Sequence, residues 1–156
     1  MALSMPAISR RDAVRTVLAA CASVTVVAAM ASAETPPPVL VWKDPDCGCC
    51  TGWVDHMRQS GFAVTSHVTR EMAAVKRARG VPDALHSCHT AVVGGYVVEG
   101  HVPAADIARL VKERPAAKGL AVPGMPASAP GMDMPGEPYQ VILFGTPSGD
   151  RTYAQH

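Results

Sequence analysis

Three thiols crowd into four residues at Cys47-Gly48-Cys49-Cys50. A short apolar run, Val39-Leu40-Val41-Trp42, reads as a buried strand just upstream, and Asp44-Pro45-Asp46 breaks it. From Cys50 to Gln59 the pattern turns helical, with Trp53, Val54 and Met57 on one face. The cysteines therefore fall between a strand and a helix N-terminus, where unpaired backbone N–H groups and the positive end of the helix dipole favour thiolate. Cys47 and Cys50 have the Cys-X-X-Cys spacing of redox dithiols. Cys49 argues for different chemistry: a catalytic dithiol needs one attacking and one resolving sulfur, and a third between them invites wrong pairings. Thiolate-rich clusters suit Cu(I) or zinc, because soft ligands select soft cations. Adjacent Cys49 and Cys50 point in different directions, which suits them to bridging separate ions. A soft-metal site is the favoured reading, beside a thiol–disulfide oxidoreductase working through Cys47 and Cys50 and a purely structural pair of disulfides.

The methionines divide into two groups. Met57 and Met72 sit at helical spacing among apolar residues and read as core. Met125, Met132 and Met134 lie in Gly124-Met125-Pro126 and Pro130-Gly131-Met132-Asp133-Met134-Pro135, within a Pro-, Gly- and Met-rich stretch, 119–138, that shows no periodicity. Met-X-Met supplies thioether donors that suit Cu(I) and bind zinc poorly, so this segment tilts the choice of metal towards copper. The competing reading is that the loop folds back and uses its methionines to fill gaps.

The elements that must position these groups follow from the pattern. After the first strand and helix, Ser60-Gly61 stops the helix and Phe62 to Val68 alternates as a second strand. A second helix opens at Thr69-Arg70-Glu71, runs to Arg79 and is capped by Gly80, with Pro82 beyond. Ala91-Val92-Val93 and Tyr96-Val97-Val98 form a hairpin about the Gly94-Gly95 turn. Pro103 starts a third helix, Ala104 to Glu113. The order βαβαββα predicts an α/β domain of thioredoxin-like type. A last strand at Gln140 to Phe144 and a weaker one at Arg151 to Tyr153 predict a small terminal hairpin.

In such a fold the loop Leu85-His86-Ser87-Cys88-His89-Thr90, before the third strand, faces the motif at the first helix. Cys88 is then a fourth thiolate of the cluster, or a disulfide partner for one of the other three. His89 is a candidate imidazole ligand, although a histidine in a polar loop is commonly solvated. Of His56, His67, His86 and His101, the best placed is His101, which ends the hairpin before the third helix.

The chain has 156 residues, room for one domain and little else. Met1 to Arg15 is a basic leader, Thr16 to Met30 a weakly apolar run too short and alanine-rich to span a bilayer, and Ala31-Ser32-Ala33 a small-X-small cleavage site. Residues 1–33 therefore read as a signal peptide cleaved near Ala33. Arg10-Arg11 admits a twin-arginine signal as well as ordinary unfolded export, and Leu18-Ala19-Ala20-Cys21 fits a lipoprotein box, against which the apolar run continues past Cys21. The expected organisation is the leader, a metal-binding domain over 34–118, and a Met-rich loop with terminal strands over 119–156 packing on that domain. Without the leader the chain has 11 basic and 12 acidic residues, a balance that argues against nucleic acid or an anionic membrane as partner. No stable membrane insertion is expected once the leader is removed.

Trp42-Lys43-Asp44-Pro45-Asp46-Cys47-Gly48-Cys49-Cys50, Ser87-Cys88-His89-Thr90-Ala91-Val92-Val93 and Glu99-Gly100-His101-Val102-Pro103 together resemble the exported CopG-type copper-resistance proteins, known as domain of unknown function 411. Gly119-Leu120-Ala121-Val122-Pro123-Gly124-Met125-Pro126 and Pro130-Gly131-Met132 extend the likeness, which spans Val39 to Phe144. It implies a thioredoxin-like fold, copper handling in the periplasm beside other copper-handling proteins, and a cysteine-bridged copper cluster on Cys47, Cys49, Cys50 and Cys88. It also implies a role in interconverting Cu(I) and Cu(II), which would make the protein a copper oxidoreductase. Met125, Met132, His89 and His101 are the residues expected to complete coordination or deliver the metal.

Overall fold

A computed structural model describes residues 35–132 and 134–156; the leader and its cleavage site lie outside the described residues. Seven strands form one mixed sheet in the order β2-β1-β3-β4-β5-β6-β7. The strands are β1 (Val39–Lys43), β2 (Val64–Val68), β3 (His89–Val93), β4 (Tyr96–Glu99), β5 (Gly119–Ala121), β6 (Gln140–Phe144) and β7 (Arg151–Gln155). The helices are α1 (Gly48–Gln59), α2 (Met72–Arg79) and α3 (Ala104–Glu113), with a 3₁₀ turn at Asp83–Leu85. β1 and β2 are parallel, whereas β3 runs antiparallel to both β1 and β4. The fold is mixed α/β, and its elements up to α3 follow the predicted βαβαββα order.

The sheet is covered on both faces, as its alternation shows. Val98, Leu120 and Leu143 pack in one cluster with Trp53, Val54 and Met57 of α1 and Ile107 and Leu110 of α3. Their neighbours Val97, Ala121 and Phe144 belong to a second cluster with Val81 and Leu85. α1 earns its place by spacing: Cys50, Trp53, Val54 and Met57 are buried at helical intervals. Trp53 also donates its indole N–H to the Val102 carbonyl at 2.9 Å, tying α1 to the segment that enters α3. α3 has no side-chain cap of its own at Pro103, and His56 of α1 supplies one, its Nε2 accepting from the Ala104 N–H at 3.1 Å. Met72 is half-buried, whereas Met57 is wholly enclosed.

In the stretch 119–138 the described residues include a strand and a fixed docking contact that the lack of periodicity does not suggest. Its first residues form β5, which pairs with β4 and β6 and so carries the sheet into the terminal hairpin. Farther along, Gly131 lies backbone to backbone against Gly52 and Trp53 in α1. Gly131 has φ +82°, and a Cβ there would collide with the Trp53 backbone nitrogen. The methionine-bearing loop is thus seated on the first helix by a contact that only glycine permits. Among the described residues no helix is long and apolar enough to cross a membrane.

Gly131→Ala should cost about 1–3 kcal/mol, from strain at positive φ and from the collision with α1. Thermal unfolding checks this. A fall of roughly 3–15 °C in the midpoint is expected, and an unchanged midpoint would show that the loop does not dock on α1.

Candidate metal centre

Two chain segments meet at the end of the sheet where β1 finishes and β3 begins. β1 leaves through a tight turn in which Asp44 Oδ1 accepts the Asp46 N–H at 2.9 Å and the Asp44 carbonyl accepts the Cys47 N–H at 3.2 Å. Cys47 then stands at the N-cap of α1 with extended backbone, φ −84° and ψ 93°. No side chain caps this helix and no acid occupies its first turn, so the thiols are the groups offered to its unpaired N–H donors. Antiparallel pairing of β1 with β3 sets Lys43 opposite His89, which brings the preceding residue, Cys88, to the same end.

The sulfurs of Cys47, Cys49, Cys50 and Cys88 all lie within 4.8 Å of one another. Cys47 and Cys50 are joined as a disulfide, so this is the oxidised form of that pair, while Cys49 and Cys88 are free thiols. The Cys49 and Cys47 sulfurs are 3.5 Å apart. Cys50 is buried and Cys49 half-buried, in line with their divergent directions on the helix.

A second convergence shares Cys88: its sulfur, His89 and His101 also place ligand atoms within 4.8 Å of one another. Cys88 Sγ lies 3.0 Å from His101 Nε2 and 3.3 Å from His89 Nδ1. Both rings are fully buried. His101 Nδ1 lies 2.7 Å from the Pro130 carbonyl, which can only accept. In the neutral ring Nδ1 therefore carries the proton, and Nε2 presents its lone pair towards Cys88, as when a backbone carbonyl orients a metal-binding histidine. His89 is held neutral: burial pushes its pKa well below the usual value, helped by His101 and Lys76. It packs against Trp53 with ring centroids 4.4 Å apart, and its Nε2 is buried without a hydrogen-bond partner. The sequence pattern placed His89 in a polar loop. In the structure it opens β3, inside the core.

The Cys88 thiol is pushed up to about 12, first by burial and then by the neighbouring Cys49. A thiol so placed stays protonated until a cation replaces the proton. Soft sulfur donors with imidazole nitrogens alongside form a set matched to Cu(I).

The remaining sequence candidates are distributed around this centre. Gly124, just before Met125, accepts a hydrogen bond from the Ser87 hydroxyl, and Gly131, just before Met132, rests on α1. Both methionines thus extend from backbone fastened beside the cysteines. Met125 is 58% exposed, Met134 is 59% exposed and Met132 is half-buried. His67 stacks instead on Trp42, and His86 faces the Val81 carbonyl and Asp83. Sequence reasoning missed Lys76, Thr90 and Glu99, which form a buried polar network behind Cys88. The available signal was a glutamate closing the otherwise apolar strand Tyr96-Val97-Val98-Glu99.

The fold and site define a small α/β domain with four cysteines gathered at a helix N-terminus. Comparison with known proteins narrows that class. A family described as protein of unknown function, DUF411, matches residues 85–132, a span that includes Cys88, His89 and His101 but not Cys47, Cys49 or Cys50. Two solved structures, described as copper resistance protein CopG in Form 1 and Form 2, are 48% and 47% identical to the chain, with TM-scores of 0.72 and 0.73. Each alignment covers 78% of this chain and 98% of the solved one. No curated protein matches significantly. The chain belongs to the family of CopG-type copper-resistance proteins, the DUF411 family.

With its thiol near 12, Cys88 in the metal-free protein with the Cys47–Cys50 disulfide intact should react with iodoacetamide about tenfold faster for each pH unit gained between about pH 8 and pH 10. Peptide mass spectrometry of timed samples measures this residue by residue. A Cys88 rate that levels off within that range would contradict the buried, protonated thiol.

Proposed function

We propose that the protein is an exported, periplasmic copper-binding protein of copper tolerance, holding Cu(I) on the thiolates of Cys47, Cys49, Cys50 and Cys88. The observation that carries this reading is the convergence of four sulfurs from two separated segments at an uncapped helix N-terminus. Reduction of the Cys47–Cys50 disulfide would free the two further thiolates. His101, with its lone pair aimed at Cys88, and His89 are the proposed imidazole donors, and Met125 and Met132 the proposed thioethers that complete coordination or pass copper in and out. Residues 1–33 are the proposed signal peptide, consistent with a disulfide in an oxidising compartment. The segment from residue 119 onwards is proposed as an extension of the same domain, since its strands continue the sheet.

Copper here is cargo, and the dithiol gives the site a way to change its oxidation state. Oxidation of the Cys47 and Cys50 thiolates to the disulfide releases two electrons, enough to reduce two Cu(II) ions to Cu(I), and leaves Cys49 and Cys88 as the remaining thiol donors until an external dithiol reduces the pair again. Interconversion of the two copper states at this centre is therefore part of the proposal. A second reading rests on the same disulfide: Cys47 and Cys50 could exchange it with a protein dithiol, as a thiol–disulfide oxidoreductase does.

Anaerobic Cu(I) loading of the reduced chain from Glu34 onwards, with metal analysis and thiol counting, separates the two. The copper reading expects more than one copper per chain. It also expects Cys49→Ser and Cys88→Ser each to weaken copper retention by at least the roughly 10–100-fold that loss of an outer-shell partner costs. The oxidoreductase reading expects Cys49→Ser to leave dithiol exchange largely intact. Less than one copper per wild-type chain would overturn the copper reading.

A further inference from the structure

Glu99 is fully buried at the end of β4, opposite Thr90 in the β3–β4 register. Its carboxylate bonds in three directions. Oε1 accepts the backbone N–H of Ser87 at 2.6 Å and also pairs with the Lys76 ammonium. Oε2 accepts the Thr90 hydroxyl at 2.7 Å, and Thr90 in turn accepts from Lys76 Nζ at 3.1 Å. Lys76, from α2, is itself almost wholly buried, so the three side chains close a ring of charge-assisted hydrogen bonds with no water needed to complete it.

Stability alone does not account for this ring. A buried ion pair recovers little beyond its own desolvation, and apolar residues of similar size commonly do as well. Direction is what the ring supplies and apolar packing cannot. The two groups it grips outside the charge pair, the Ser87 N–H and the Thr90 hydroxyl, sit on either side of Cys88-His89. The backbone adds to the grip, because the Gly100 N–H donates to the His89 carbonyl at 3.0 Å and the Val122 N–H to the Glu99 carbonyl at 3.0 Å. Two residues beyond Glu99 comes His101, the second imidazole against the Cys88 sulfur. One buried carboxylate thus fixes the chain before Cys88, the residue after His89 and the approach to His101.

We propose that Glu99, with Thr90 and Lys76, is the positioning element that holds the Cys88 thiol in the four-sulfur site. It acts through Ser87 and Thr90 and touches no metal. The inference rests on the copper reading for its purpose, but its geometry can be tested without copper.

The test compares Thr90→Val, which keeps shape and removes the hydroxyl, with Thr90→Ser, which keeps the hydroxyl, in the reduced chain from Glu34 onwards. Glu99→Gln serves as a second variant where it folds. The first readout is iodoacetamide modification of Cys88 without metal, with Cys49 in the same sample as control. Loss of the hydroxyl should speed modification of Cys88 about tenfold, the effect of one lost buried hydrogen bond, and leave Cys49 within about twofold. Thr90→Ser should restore the wild-type rate. A merely structural role would speed both cysteines together, or neither, and either result overturns the proposal. The second readout is Cu(I) affinity by competition with a chromophoric chelator. About tenfold weaker binding in Thr90→Val, recovered in Thr90→Ser, supports the proposal, and unchanged affinity with a loosened Cys88 overturns it. Wild-type protein that takes up no copper would remove the copper reading, and the modification rates would then decide the positioning claim alone.

Discussion

Lys43 and His89 face one another across the β1–β3 ladder, and the site depends on that register. β1 runs out of the sheet into the turn that delivers Cys47 to the start of α1, while β3 runs in from Cys88. Because the two strands are antiparallel, the end of one and the beginning of the other share an edge. Segments some forty residues apart in sequence therefore present their sulfurs to one volume, with no contact between the side chains needed to draw them together. A slip of one residue in this ladder would turn His89 to the other face of the sheet and carry Cys88, just before it, out of register with the motif.

The environment then decides what the sulfurs can do. At the N-terminus of α1 the unpaired N–H groups and the dipole favour negative charge, and no carboxylate competes for them. At Cys88 the opposite force prevails, since burial holds that thiol protonated in the absence of a cation. Thiolate formation at Cys88 is thereby coupled to arrival of a positive ion, which releases the proton. Of the two imidazoles beside it, His89 is held neutral by burial, while the Pro130 carbonyl accepts from His101 Nδ1 and leaves Nε2 facing Cys88. Pro130 and Gly131 are part of this enclosure, because the Pro130 carbonyl fixes the His101 ring while Gly131 rests on α1.

Much of this was legible in the sequence, for local reasons. The cysteine motif, the buried face of α1 and the bounds of α3 follow from spacings within one or two turns, and β6 falls where its apolar run lies. Cys88 was placed beside the motif through the order of elements, and its likeness to a known family agrees with the solved relatives. What escaped was set by distant partners. β5 has only three residues, too few to show a period, and exists because β4 and β6 flank it. His89 looked solvated because its sequence neighbours are polar, yet Trp53 and His101 enclose it. Lys76 reads as one more cation on a charged helix, and only the fold shows that Glu99 awaits it across the sheet.

X-ray absorption at the copper edge of the Cu(I)-loaded, reduced chain reports the donor atoms and neighbouring metals directly. Copper shared by the four cysteines predicts a first shell dominated by sulfur, together with a short copper–copper scattering path. A shell of nitrogen and oxygen alone, unchanged when the cysteines are replaced by serine, would contradict a thiolate cluster at this end of the sheet.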